Sequence, residues 1–314
     1  FVFGYPARTN EYLPSVAVDQ EANLIDPITV DLRGKVLDIY NKYQEQDPKV
    51  RIQYASKHAG LGNGWKKWMG VTEGINHFHG VEKKQAFEKD FQEWALGARN
   101  RYMYIDLLKY FKKNYKELEP YELAYTYMVE AGMRIELVSF AGRFARLSEV
   151  TKVTPQEDID RMLNQLKGTT ATFFKDYYEP IDREVAVMAL SEYLKAQPAD
   201  FRPAFLNDIK DVNEFVGKLF DKSMFTDEVK VNALLDNFKL KDAKKLANDP
   251  ALKVYQSLIG LYRDNVYDHI SSITKDNDRL RRIYMKGQME MQPEKRLFPD
   301  ANFTLRVTYG KVEG

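Results

Sequence analysis

The sequence predicts a mainly α fold: a multi-helix unit inserted into a β-rich body, with one short strand segment at each end of the chain. Three observations predict it. Apolar residues recur near a 3.6-residue period through most of the chain. Only the two ends alternate with a period of two or read as extended. The stretch from Pro250 to about Met289 contains few helix breakers, so the last helix is longer than one domain core usually needs.

The elements follow in order. Phe1-Val2-Phe3 is apolar from the first residue and precedes a turn-prone Gly4-Tyr5-Pro6, which reads as a buried strand and its exit. Val30, Leu32, Val36, Leu37, Ile39 and Tyr40 fix a helix over residues 28–46. Pro48 opens a second, because its missing N–H is not needed in a first turn; it runs past Trp65 and Trp68 to about Gly70. Phe87, Phe91 and Trp94 mark a third, residues 101–115 a fourth, and residues 120–147 a long fifth. Thr154-Pro155-Gln156-Glu157 is a helix start, with Thr as N-cap and Pro in the first position. Further helices follow Pro180, Asp211 and Thr226. At the far end Leu305, Val307 and Tyr309 alternate with Thr304, Arg306 and Thr308, a period-two strand. The expected organisation is therefore residues 1–27 as a segment of the β body, 28–295 as the helical unit, and 296–314 as the returning strand. With its apolar start and strand ends, the chain is expected to be an excised part of a longer protein.

Composition narrows the functions. Over 314 residues the charges nearly cancel at +1, which gives no electrostatic footprint for nucleic acid. No stretch approaches the roughly 20 apolar residues that span a bilayer. The absence of cysteine excludes disulfides, thiolate catalysis and Cys-ligated zinc. The 20 Tyr and 18 Phe point to thick helix–helix packing before a ring-lined groove.

Catalytic signals are absent. None of His58, His77, His79 and His269 sits in a triad context, and no Gly-x-Ser-x-Gly elbow occurs. His77 and His79 would share a face on a strand and could then bind metal; on a helix they point apart. No acidic third ligand is fixed nearby, so surface or capping histidines are the preferred reading, and no metal or cofactor is expected. Gly60-Leu61-Gly62-Asn63-Gly64 lacks the strand that precedes a nucleotide-binding glycine loop, and reads as a helix interrupted by small residues where something approaches the backbone. Asp276, Asp278, Arg279, Arg281 and Arg282 make a solvated mixed-charge face. Glu130 and Arg134, four apart, read as a helix-surface ion pair. From the residues alone the chain is a helical cap or an interaction module.

Three stretches carry a resemblance. Gly4-Tyr5-Pro6-Ala7-Arg8-Thr9, Asn63-Gly64-Trp65-Lys66 and Pro299-Asp300-Ala301-Asn302-Phe303-Thr304-Leu305-Arg306 resemble, in order and spacing, segments of the bacterial dipeptidyl-peptidases of types seven and eleven. The resemblance covers essentially the whole chain. It implies a serine exopeptidase with a chymotrypsin-like double β-barrel body and a helical cap, acting in the periplasm or at the cell surface of a Gram-negative bacterium. It places the triad His and Asp before Phe1 and the nucleophilic Ser after Gly314, so the chain alone is inactive. The implied partner is a peptide with a free N-terminus, and the family is commonly dimeric, so a homodimer of the full-length protein is expected.

One substrate-binding residue carries over: Asn63 matches the family asparagine that contacts the substrate's N-terminal end. A carboxamide oxygen can accept a hydrogen bond from an α-ammonium, and a rigid helix would let it measure two residues from the scissile bond. The competing reading is that Asn63 only caps a local helix break. Two departures stand out. Ala7 replaces a common Gly, and Gly64 replaces a common ring, which leaves room beside Asn63. Trp65 reads as core packing and Arg8 as an ion-pair partner. The competing assignment for the whole chain is a stand-alone helical module that binds a peptide or protein without catalysis.

Overall fold

The structure, a computed structural model, describes residues 1–311. Residues 312–314 of the expected returning segment lie outside the described residues.

The architecture is mainly α with one short strand near each end. Val2–Gly4 and Arg306–Thr308 pair antiparallel, with Phe3 opposite Val307. Between them the chain is helical almost throughout. A helix starting at Ser15 passes through a π-turn at Glu21–Ile25 and continues as Asp26–Gln46, so helix begins well before the legible periodicity at residue 28. Pro48 opens the next helix as expected, and Asp47 Oδ1 accepts from Lys49 N at 2.7 Å. That helix runs unbroken to His77. The long last helix is present too, covering residues 250–291 with a π-turn at Tyr262–Val266. Among the described residues, no helix is long and apolar enough to cross a membrane.

The chain divides into two compact units. One comprises Phe1–Leu24, Glu73–Leu118 and Ser272–Gly314. Its centre is aromatic: Phe91 meets Tyr284 edge-on at 5.1 Å, and Tyr284 meets Phe111 at 5.9 Å. Pro14, at the N-cap of the Ser15 helix, has no side-chain acceptor to offer. Buried Glu88 supplies it from a distant helix, accepting from Ser15 N and Ser15 Oγ, each at 2.6 Å. The Arg279 and Arg281 guanidiniums pair with Asp276 and Asp278 as i,i+3 neighbours, and Arg281 also reaches Tyr115 Oη at 2.5 Å.

The other unit comprises Ile25–Thr72 and Glu119–Ser271. Its main core gathers Ile135, Leu137, Phe140, Phe144, Leu190 and Phe225, all close to fully buried. Phe140 stacks on Phe173 at 3.9 Å. A second cluster, around Val36, Tyr40, Tyr54 and Val185, joins the Asp26–Gln46 helix to its neighbours.

The expected helix over residues 120–147 is corrected. Pro120 lies inside the Leu107–Glu130 helix, which forgoes one i→i−4 bond there. The break comes later, at Ala131, followed by a 3₁₀ turn and the short Glu136–Gly142 helix. Two features fix it. Buried Asp182 accepts from Glu136 N at 2.7 Å and Leu137 N at 2.8 Å, capping a new helix start. Gly142 lies so close under the Tyr255 ring that any β-carbon would overlap it. The expected fourth helix is likewise 3₁₀ over Arg99–Tyr104 before the α-helix starts at Leu107. Thr154 does not cap: its Oγ1 turns back to accept from Thr151 N, and Pro155 occupies the N-cap position.

Candidate functional site

The Asp26–Gln46 and Pro48–His77 helices form an antiparallel hairpin, and small residues let them approach. Trp65 is half-buried against the second cluster, with Nε1 lying 3.4 Å from where a Gly34 β-carbon would be. Its indole N–H donates to Val30 O at 3.1 Å. Trp65 therefore does the core packing expected of it.

A groove of about 410 Å³ opens along this hairpin. Asp38 and Asn41 face it from one helix, His58, Asn63 and Lys66 from the other. His58 Nε2 lies 2.8 Å from Asn41 Oδ1. The Asn63 side chain is exposed and makes no hydrogen bond among the described residues. The helix continues through residues 60–64, so there is no break for Asn63 to cap and no interrupted glycine segment. Asp38 is exposed on the groove wall and has no ion pair among the described residues. A free carboxamide and a free carboxylate on one concave surface are suited to a ligand ammonium: one accepts a hydrogen bond, the other supplies the opposite charge.

Gly64, next to Asn63, turns to a different neighbour. The room left by its missing side chain is filled. A β-carbon there would overlap the Arg33 guanidinium and lie 2.7 Å from Trp68 Cζ3. Arg33 in turn binds Glu130 through two contacts, Nε to Oε2 at 2.9 Å and Nη2 to Oε1 at 2.6 Å. Glu130 Oε2 also accepts from Arg134 Nη2 at 2.6 Å. The Glu130 side chain is only 8% exposed, so the expected surface ion pair is instead a buried carboxylate held between two half-buried guanidiniums. Arg33 was not legible, because its partner lies 97 residues away in sequence; the four-residue spacing of Glu130 and Arg134 showed only half the set.

The other singled-out residues fall elsewhere. His77 and His79 are exposed at the helix turn, and His79 takes a left-handed backbone (φ 52°). His269 stacks on Tyr121 at 4.2 Å. Among the described residues, no three His, Asp or Glu gather as a metal site would require. Arg8 is exposed and forms no ion pair among the described residues, contrary to expectation. Its neighbour Thr9 does the joining: Thr9 Oγ1 donates to Asp300 Oδ1 at 2.7 Å and accepts from Ala301 N at 2.8 Å. Phe303 N donates to Pro6 O at 3.0 Å. The first and last of the three resembling stretches are thus bonded to each other.

The fold and groove define a class: a helical domain with a hydrogen-bonding concavity and a strand pair made from its two ends. The chain belongs to the Peptidase S46 family, whose sequence model matches residues 1–314. It is 35% identical over its whole length to an Asp/Glu-specific dipeptidyl-peptidase of Flavobacterium psychrophilum, covering 44% of that protein. It is 30% identical over 99% of its length to a dipeptidyl-peptidase 7 of Phocaeicola vulgatus, again covering 44% of it. The crystal structure of Porphyromonas endodontalis DPP11 matches 97% of the chain with a TM-score of 0.80 at 21% identity, over 44% of that protein, and so shows the shared fold. A DPP11 complex with the dipeptide Arg-Glu aligns with a TM-score of 0.78 at the same identity and coverage of the chain. The chain spans less than half the length of these relatives.

Proposed function

We propose that this chain is the helical cap of a serine-type dipeptidyl-peptidase, and that the cap binds the free N-terminus of a peptide so that dipeptides are released. In this reading residues 28–295 are the cap, and the flanking segments, 1–27 and 296–314, belong to a β-barrel catalytic body. The Ser-His-Asp triad lies in that body, outside the chain, and the chain alone hydrolyses nothing. The protein works in the periplasm or at the surface of a Gram-negative bacterium, as a homodimer.

The observation that carries the reading is the groove. Asn63 presents an unengaged carboxamide from an unbroken helix, and Asp38 adds a carboxylate with no ion pair among the described residues. An incoming α-ammonium gains a charge-assisted hydrogen bond there, a contact that contributes about 1.5–3 kcal/mol. The strand pair supports the second part. Phe3 is 74% exposed and Val307 57%, apolar surface suited to joining a larger sheet. The relatives named as dipeptidyl-peptidases favour this reading over a stand-alone binding module.

The test is Asn63→Ala in the full-length protein. Catalytic efficiency on unblocked peptides falls tenfold or more, which corresponds to about 1.4 kcal/mol. Asp38→Asn lowers it as well, while leaving the folded far-ultraviolet spectrum intact. Unchanged efficiency in Asn63→Ala removes the N-terminus role.

A further inference from the structure

A second concavity, of about 1310 Å³, lies within the unit that holds residues 119–271. Its walls come from the Glu136–Gly142 helix, the segment that follows it, and the Gln156–Lys175 helix. Arg143 and Arg146 both line it, both are exposed, and neither has an ion pair or hydrogen-bonded side-chain partner among the described residues. Arg143 stands at the C-cap of the Glu136–Gly142 helix and Arg146 in the short Ala145–Ser148 helix that follows, so two successive segments each bring one guanidinium to the same concavity. The acidic side chain on the wall is Glu136, and its carboxylate is already held by Lys57 Nζ at 2.5 Å. The concavity therefore carries two uncompensated positive charges.

Its remaining surface is mixed. Half-buried Met162, Phe173 and Tyr255 give an apolar lining. Gln165 adds an exposed carboxamide, and a β-carbon at Gly168 would meet nothing within 4 Å, so the wall is open there. The volume exceeds the roughly 300–1,000 Å³ typical of small-molecule sites. A compact anion would use the guanidiniums and leave the apolar lining wet. A segment with carboxylates and apolar side chains uses both.

We propose that this concavity is a binding site for an acidic peptide segment, with side-chain carboxylates on Arg143 and Arg146 and apolar side chains against Met162, Phe173 and Tyr255. Guanidinium forks match carboxylates in two-point contacts, and burial of the intervening apolar groups adds affinity without further charge.

The probe is an N-acetylated, C-amidated peptide of alternating Glu and Leu, titrated calorimetrically into the full-length protein. Acetylation removes the ammonium that the Asn63 groove requires, so the two sites are read separately. Saturable one-to-one binding is expected, at least tenfold weaker in Arg143→Ala/Arg146→Ala and for the peptide with Gln in place of Glu. Both arginines are exposed, and an unchanged melting temperature confirms that the double variant is folded. Asn63→Ala binds the probe like the parent. The site assignment is overturned by an absence of saturable binding, by equal binding of the Gln peptide, by an unaffected double variant, or by citrate displacing the probe at equal concentration. Loss of binding in Asn63→Ala would also overturn it, while an unchanged peptidase rate in that variant bears only on the Asn63 groove.

Discussion

The Arg33 guanidinium lies over the Trp68 ring, its central carbon 4.3 Å from the ring centroid. Gly64 permits this arrangement, since a β-carbon would occupy the same space. Gly64→Tyr therefore forces Arg33 off the ring or spreads the hairpin, at a cost of about 1–3 kcal/mol. The measurement is urea unfolding followed by tryptophan fluorescence. A lower midpoint and a shifted native emission are expected; a parent-like spectrum and midpoint would show that the ring is accommodated without moving Arg33.

Removing Arg33 has a larger effect. Arg33→Ala leaves buried Glu130 with Arg134 as its remaining guanidinium. Breaking a buried pair by deleting one partner costs about 3–5 kcal/mol. Arg33→Lys does not restore it, because one ammonium cannot span both carboxylate oxygens while lying flat on Trp68. Chemical denaturation of the parent and both variants reads this directly, and a Lys variant as stable as the parent contradicts the two-point account.

Glu88 caps a helix on which it does not lie. Glu88→Ala strands Ser15 N and Ser15 Oγ without their acceptor. The expected loss is about 1–3 kcal/mol. Hydrogen exchange locates it: amides in the first turn after Pro14 lose protection first. Uniform loss of protection across the chain would argue against a capping role.

Asp182 makes stability depend on pH. Burial, and then the Glu136 carboxylate, push its carboxyl up to about 8, against the downward pull of the Leu137 and Glu136 amides. A carboxyl raised on folding holds its proton in the folded state at pH values where the unfolded chain has lost it. Stability therefore falls as pH rises from the ordinary carboxylate range, about 4, toward 8. Asp182→Asn cannot titrate and has a flatter profile across that window. Urea midpoints at several pH values compare the two, and parallel profiles sink the assignment.

Local signals were the legible ones. Pro48, Asp211 and the run from Pro250 announced helix starts in their own sequence, and each helix begins there. Asp211 accepts from Asn213 N and Glu214 N as a cap should. Two starts that the local pattern does not announce are capped from afar, at Ser15 by Glu88 and at Glu136 by Asp182, and no short window contains both partners. Pro120 misled for the complementary reason. A proline can sit inside a helix when tertiary packing outweighs one lost bond. Within the candidate site, Asn63 was reached through a motif, whereas Asp38 and Arg33 owe their interest to the hairpin that sets them against residues of the next helix.

The strand pair has one more consequence. Among the described residues the sheet has two strands, so neither outer edge is paired with a further strand, and Phe1, Val2, Phe3 and Tyr309 dress the ribbon in exposed apolar side chains. Such a ribbon is adhesive: copies of the isolated chain can zip edge to edge into growing stacks. Edge pairing of this kind would make turbidity rise with concentration, and Val307→Lys would act as a gatekeeper against it.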